Sequence, residues 1–575
     1  MAARLTTYFV VGIVAATLIA GLIVGAQRDD SDGPVDLIVF NAKVYTADAS
    51  GTMAEAVAVR GNQILRVGSN REINRLRRPQ TTLIDAHGAA VLPGFNDAST
   101  HFIDGGLALD DVDLTGATTV EEIQDRIRVW GEAHPDRAWI LGHGWQPSAA
   151  LLTPTRQLLD AVASDRPACV LSTDGRSAWL NSKALERVAI SRRTQPPADG
   201  AIIKEPRTGN PTGLLKGAAV EIATRAVPRP SREDRARALR AAIEEAHRNG
   251  VTSIHDVISR ADDFVLYDAA RRAGDLAVRV YATLPADDTP EAEIFKQLES
   301  LSARYPDDPL FKMGSVRISI DGSIDSGDAA LLDPYDSRPD SDGAARIDPD
   351  VLNRLVRLLD ARQWQVILAG TGDRAVRMAL DAIEHAVRSN PQVERGRRHR
   401  IEGVALVDAV DVPRFGRIQA IATMRPEDEL PTSERLEMLA KSIGAERASR
   451  TWPAASLVSA HGQLALAVGS PAGMSPLAAV HIAMTRSTAE GSPDGGSAAE
   501  RVSLKRAING LTSVPAYASF DEQRKGSLKK GMLADLVVLT EDIFDGSGAD
   551  LGRASVAATI FDGKIVYQSH SKSTN

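Results

Sequence analysis

The chain has one cysteine, Cys169 in the apolar run PACVL, so an intrachain disulfide is excluded and the residue reads as a buried structural thiol. Long basic runs are absent and the formal net charge is −8. The electrostatic footprint of a nucleic-acid surface is therefore missing, and no nucleic-acid partner is expected. No glycine-rich phosphate loop follows a strand, which argues against a nucleotide-binding, doubly wound sheet. Histidines are few, 11 in all, and most lie in no metal-ligand spacing. Apolar content is not lacking: 43% hydrophobic and 25% charged residues exclude a mainly disordered chain, and 575 residues call for at least two structural units.

One segment stands apart from that ordinary composition. From Leu5 to Ala26, 22 residues carry no charge. As a helix they would span roughly 33 Å, enough for a bilayer core. Arg4 precedes the run and Arg28, Asp29, Asp30 and Asp32 follow it. The expectation is a single-pass bacterial inner-membrane anchor, residues 1–4 cytoplasmic and the main domain periplasmic. The competing reading is a cleaved signal peptide, since Val24-Gly25-Ala26 would suit a signal peptidase and the domain is then secreted, but the apolar run is longer than the roughly 7–15 residues of a usual signal peptide. The membrane, and through it a membrane-protein or periplasmic partner, is the expected contact; a small-molecule ligand is not specified.

Residues 27–34 read as a linker. The pairs Gly61-Asn62 and Asp562-Gly563 each separate two apolar alternating runs, a hairpin signal at both ends of the chain. Residues 35–90 and 525–568 are thus expected to form one small β-sandwich domain, with 569–575 a tail. Between them the pattern is helix, strand, helix. Ser231 and Asp234 form a capping box ahead of a helix closing at Gly250, the strand VTSIHDV follows, and Asp348-Pro349 opens another helix before the strand WQVILAG. Such alternation predicts a parallel sheet with crossover helices, and over residues 91–524 a (β/α)8 TIM-like barrel with insertions.

Several stretches sharpen this reading: PGFNDASTHF, AWILGHGW, AWLNSKAL, GNPTGLLK, GVTSIHDV, VRISIDGS, GDRAVRMALDAIE, HRIEGVALVDAVDVPRF and GSLKKGMLADLVVL. In their content and order the chain resembles the amidohydrolase superfamily, and within it the YtcJ-like branch, amidohydrolase 3. The resemblance covers about residues 35–568. It implies a hydrolase with one or two divalent ions, zinc or another, at the C-terminal mouth of a barrel, where metal activates water and polarises a carbonyl.

At the positions the resemblance assigns to metal, this sequence departs from the pattern. His-x-His becomes Ser99, Thr100 and His101; the lysine that can be carboxylated becomes Arg317, four residues before Asp321; the fifth-strand histidine becomes Ala369. Ile-Glu-His becomes Ile401, Glu402 and Gly403, Gly-Ser-Asp ends in Pro471, and Asp-Gly-His ends in Arg176. A catalytic zinc takes about three protein ligands, so His101 alone cannot hold one, and no cofactor is expected. The former metal pocket is expected to comprise Asp97, Ser99, His101, Arg176, Arg317, Asp321, Ala369, Gly403 and Pro471. Arg317 is expected to neutralise Asp97, Asp321 or another carboxylate in place of a metal. His101, His255 and Asp256 are the remaining candidates for catalysis, although neighbours on a strand such as His255 and Asp256 face opposite ways.

The first expectation for function is a membrane-tethered pseudoenzyme, inactive as a metal-dependent hydrolase, with a binding or scaffold role. The alternatives are a divergent amidohydrolase that cleaves non-peptide C–N bonds with an altered or metal-free site, and a metal-independent enzyme using His101 or His255.

Overall fold

A computed structural model describes residues 34–569, apart from 146–153, 173–174, 176, 198–199, 288, 427–432, 474, 488–497 and 546–550. Its centre is a parallel sheet of eight strands, here β1 (Phe95–Thr100), β2 (Val251–Val257), β3 (Arg279–Pro285), β4 (Phe311–Ser319), β5 (Gln365–Gly370), β6 (Arg400–Gly403), β7 (Ile421–Met424) and β8 (Gln463–Leu466). Spatial order follows chain order. A bridge between Thr100 and Gly469 joins β1 to the chain just beyond β8, and the result is a nearly closed (β/α)8-like barrel.

Local chemistry places the surrounding helices. The Ser231 hydroxyl accepts from Asp234 N while the Asp234 carboxylate accepts from Ser231 N, fixing the start of helix Arg232–Arg248. Asp348 caps Pro349–Ala361 by accepting from the amides of Asp350 and Val351. Leu239, Ala242, Ile243 and Ala246 of the first helix are buried in the main core.

Both chain ends meet in two further sheets. One contains Leu37–Phe40, Ala56–Arg60, Gln63–Gly68 and Thr82–Asp85; the other joins Lys43–Tyr45, Met53–Ala54 and Ala90–Pro93 to Leu536–Leu539, Val556–Phe561 and Lys564–Gln568. Val39, Val57 and Ile84 from the first share a core with Val44, Val91, Leu536 and Ile560 from the second. Buried Arg279, at the start of β3, ties this unit to the barrel through Asp535 at 2.5 and 2.9 Å and Asp562 at 2.8 Å. A third sheet lies between β1 and β2: six strands from Val112–Asp113 to Pro211–Gly217, with its own core around Trp145 and Trp179. The motifs AWILGHGW, AWLNSKAL and GNPTGLLK belong to this insertion and not to barrel strands.

The expected membrane helix is corrected. Among the described residues no helix is long and apolar enough to cross a membrane, and Leu5–Ala26 lies outside them. The inner-membrane topology, the periplasmic placement and the membrane or membrane-protein partner were built on that helix and are withdrawn with it.

Candidate functional site at the barrel mouth

The carboxyl ends of the barrel strands open into a cavity of about 500 Å³. Among its walls are Ser99, Arg317, Asp321, Ala369 and Gly403, gathered from β1, β4, β5, β6 and the loop after β4. Five of the nine residues expected at the former metal pocket thus share one wall system. His101 follows β1 directly and is exposed at the rim, its amide donating to Gly469 O at 3.1 Å. Asp97 is wholly buried below the cavity. Pro471 packs against Gly105, so closely that a Cβ on that glycine would stand 2.3 Å from Pro471 Cδ. Arg176 lies outside the described residues.

A chain of charge-assisted hydrogen bonds runs from the cavity into the barrel. Arg317 Nε donates to Glu402 Oε2 at 3.0 Å and its Nη1 donates to Ser319 Oγ at 3.0 Å. Beneath, Arg400 Nη2 donates to Glu402 Oε1 at 2.9 Å, Arg400 Nη1 meets His255 Nδ1 at 2.9 Å, and Nε donates to Thr423 Oγ1 at 3.2 Å. Burial would raise the Glu402 carboxyl, but the flanking Arg400 and Arg317 guanidiniums hold it below its ordinary range. Arg317 therefore does meet a carboxylate, but it is Glu402 rather than Asp97 or Asp321.

Those two aspartates are committed elsewhere. Asp97 accepts the amides of Ser99, Val468 and Gly469 at 2.9–3.1 Å. Asp321 accepts those of Thr371, Gly372 and Ala330, each at 2.9 Å. Burial nevertheless lifts each carboxyl to about 6. Each ties the top of its own strand to a neighbouring loop.

His255 and Asp256 separate as strand alternation requires. His255 points into the barrel, packed on Tyr281 with ring centroids 5.1 Å apart and kept neutral by burial and then by Arg400 and Lys525. Asp256 points outward, accepting Phe102 N at 2.7 Å and Tyr267 OH at 2.7 Å, and burial raises it to about 7. Neither lines the mouth cavity. His101, also outside the cavity lining, is exposed at the rim, but the barrel mouth displaces part of the water around its ring, and this, then the charges of Arg317 and Arg425, holds it below its ordinary range.

The residues at the mouth do not fit a divalent ion. Where donors are needed there stand a hydroxyl, a guanidinium, a methyl and a glycine, and the nearest carboxylates are spent on arginines or amides. Gly403 makes this concrete. Its φ is +90°, and a Cβ there would lie 2.9 Å from Gly370 O, so a histidine would enter under strain. Among the described residues no three His, Cys, Asp or Glu side chains gather into a group able to hold a metal.

Sequence reasoning missed Arg400, Arg346 and Arg425. Arg400 carried a signal: Arg400 and Glu402 are two apart on a strand and must share a face. Arg346 and Arg425 lie on loops, where no periodicity reports direction.

Fold and mouth together define an amidohydrolase-type barrel without a metal-binding cluster among its described residues. Residues 82–567 match the model of the amidohydrolase family described as Amidohydro_3, and the chain belongs to that family. The protein LONG AFTER FAR-RED 3 of Arabidopsis thaliana is 30% identical over 549 residues, covering 92% of this chain and 91% of its own. The putative amidohydrolase YtcJ of Bacillus subtilis is 28% identical, covering 91% and 98%. An N-substituted formamide deformylase of Arthrobacter pascens is 27% identical, covering 93% and 98%. Among solved structures, an uncharacterized metal-dependent hydrolase from Pyrococcus horikoshii superposes with a TM-score of 0.70 at 22% identity, covering 89% of this chain and 99% of its own. One from Pyrococcus furiosus superposes at 0.68 and 23%, covering 87% and 97%. These two likenesses concern the fold.

The first expectation for function is corrected accordingly. A membrane-tethered pseudoenzyme has no spanning helix among the described residues to support it, and the family match, residues 82–567, takes in all eight barrel strands and the C-terminal strands. The divergent-amidohydrolase alternative accounts better for both observations.

Proposed function

We propose that this protein is a divergent amidohydrolase that cleaves non-peptide C–N bonds of small amides at a metal-free barrel mouth, and that it is inactive as a metal-dependent hydrolase. The observation carrying this reading is the Arg317–Glu402 pair, with Nε to Oε2 at 3.0 Å. It puts a permanent cation of the chain's own where the family resemblance expects a metal-bridging lysine, and a guanidinium stays charged at any physiological pH. The formamide deformylase among the relatives supports the C–N bond class.

The chain's residues divide the work as follows. The substrate carbonyl oxygen points at the guanidinium edge of Arg317, which stabilises the negative charge that develops when water adds to the carbonyl carbon. Neutral His101 accepts the proton of that water. The resulting imidazolium returns the proton to the departing nitrogen as the C–N bond breaks, leaving a carboxylic acid and an amine. Glu402, held ionised between two arginines, fixes the plane of Arg317.

The test combines metal analysis with turnover. Purified full-length protein, dialysed against a strong chelator, is assayed on a panel of formamides and acetamides, with ammonia or amine release as readout. Undiminished turnover in protein free of metal is the expected result, with loss of at least 100-fold in His101→Gln. Stoichiometric zinc, required for turnover and restoring it after removal, would refute the proposal.

A further inference from the structure

Charge and hydrogen-bonding capacity are unequally spent in the mouth cavity. Three guanidiniums face it, those of Arg317, Arg346 and Arg425, along with three carboxylates, those of Asp321, Asp328 and Glu402. The carboxylates are largely consumed by the protein. Both Glu402 oxygens are taken by Arg317 and Arg400, both Asp321 oxygens by backbone amides, and Asp328 Oδ1 by Ser323 N at 2.9 Å and by the Ser326 hydroxyl. Arg317 and Arg346 retain donors. Arg317 uses Nε and Nη1, and no hydrogen bond from its Nη2 to a described residue is present. Arg346 is exposed on the segment before helix Pro349–Ala361; its amide donates to Ile320 O at 2.7 Å, and its side chain makes no ion pair within 4 Å among the described residues. Three hydroxyls, Ser99, Thr371 and Thr423, add neutral donors around the same space, whereas that of Ser319 is spent on Asp287 Oδ2 at 2.9 Å.

A cavity with surplus N–H and O–H donors and committed acceptors complements a ligand that brings acceptors and negative charge. A planar guanidinium fork fits an oxyanion in two parallel hydrogen bonds. We infer that the mouth binds a small oxyanion, a carboxylate or phosphate group, against Arg346, leaving the free edge of Arg317 to the amide carbonyl. Its substrate is then an amide bearing such a group. This rests on the mouth being the substrate site, as proposed above, but binding is measured here without turnover, so failed hydrolysis leaves it standing.

The experiment titrates full-length protein by calorimetry with succinate, with inorganic phosphate and with succinamide, the uncharged analogue of succinate, at low and high salt. Saturable binding of succinate or phosphate is expected, with none by succinamide and a loss of affinity on raising salt. Which anion binds distinguishes the two oxyanion sources. Arg346→Gln is expected to weaken binding at least tenfold while leaving the melting temperature nearly unchanged, because the side chain is exposed and makes no ion pair within 4 Å among the described residues. Three results overturn the inference: no binding of either anion, equal binding of succinamide, or affinity unchanged in Arg346→Gln.

Discussion

Removing Arg317 tests whether a guanidinium has taken over the electrostatic work of a cation at the barrel mouth. The Arg317 side chain is 24% exposed and Glu402 8% exposed, so the pair is largely shielded. Deleting one partner of a fully buried pair costs about 3–5 kcal/mol. Here the figure is lower, because Arg317 reaches water and because Arg400 keeps its own bond to Glu402 Oε1 at 2.9 Å. A loss of about 2 kcal/mol for Arg317→Ala follows from one charge-assisted hydrogen bond and partial desolvation. For a chain of 575 residues, an unfolding entropy of about 2.1 cal/mol/K per residue turns that into a fall in Tm of about 2 °C.

The sign of its pH dependence is fixed by Glu402. Its folded pKa lies below the ordinary carboxylate value of about 4.3, so its contribution is present above that value and is lost as pH falls through the folded pKa. Arg317→Ala raises the folded value, so the deficit should be full at pH 7 and should close as pH falls below about 4.3. Scanning calorimetry at a fixed rate across this range measures it, and Glu402→Gln combined with Arg317→Ala should recover part of the loss by removing the stranded charge. Equal Tm values for parent and Arg317→Ala at pH 7, or a deficit undiminished in acid, would show that the guanidinium does not stand in for a cation.

Four other outcomes follow from the same geometry. Turnover against pH should show an acid limb below the ordinary histidine value of about 6.5, since His101 is held low, and His101→Gln should abolish that limb. Asp256 is raised to about 7 on folding, so stability it contributes below about 4 is lost as pH rises through 7; Asp256→Asn should melt above the parent at pH 8 and level with it in acid. Asp535→Ala takes from buried Arg279 its two-oxygen carboxylate partner and leaves Asp562 as the remaining carboxylate among the described residues, and a loss of about 3–5 kcal/mol is expected in thermal unfolding. Gly403→His, which introduces the residue the family resemblance expects, should cost about 1–3 kcal/mol through its positive φ and create no stoichiometric zinc site, measurable by melting and by metal analysis.

Much of this protein was open to reading from residue order alone. Capping at Ser231 and Asp348, the hairpins at Gly61-Asn62 and Asp562-Gly563, and the opposite facing of His255 and Asp256 are local consequences of backbone geometry, which acts over a few residues. That Ser99, Arg317, Ala369 and Gly403 stand where the family resemblance expects metal donors is a matter of side-chain chemistry and needs no coordinates. Tertiary structure decided which carboxylate meets Arg317. Glu402 lies 85 residues away and is chosen because β4 and β6 carry the two side chains to one end of a closed barrel, while backbone amides had already claimed Asp97 and Asp321. It likewise decided that AWILGHGW builds an inserted sheet, and that Arg346 and Arg425 turn toward the mouth. Pairing across hundreds of residues depends on how strands close on one another, and a linear pattern holds no record of that closure.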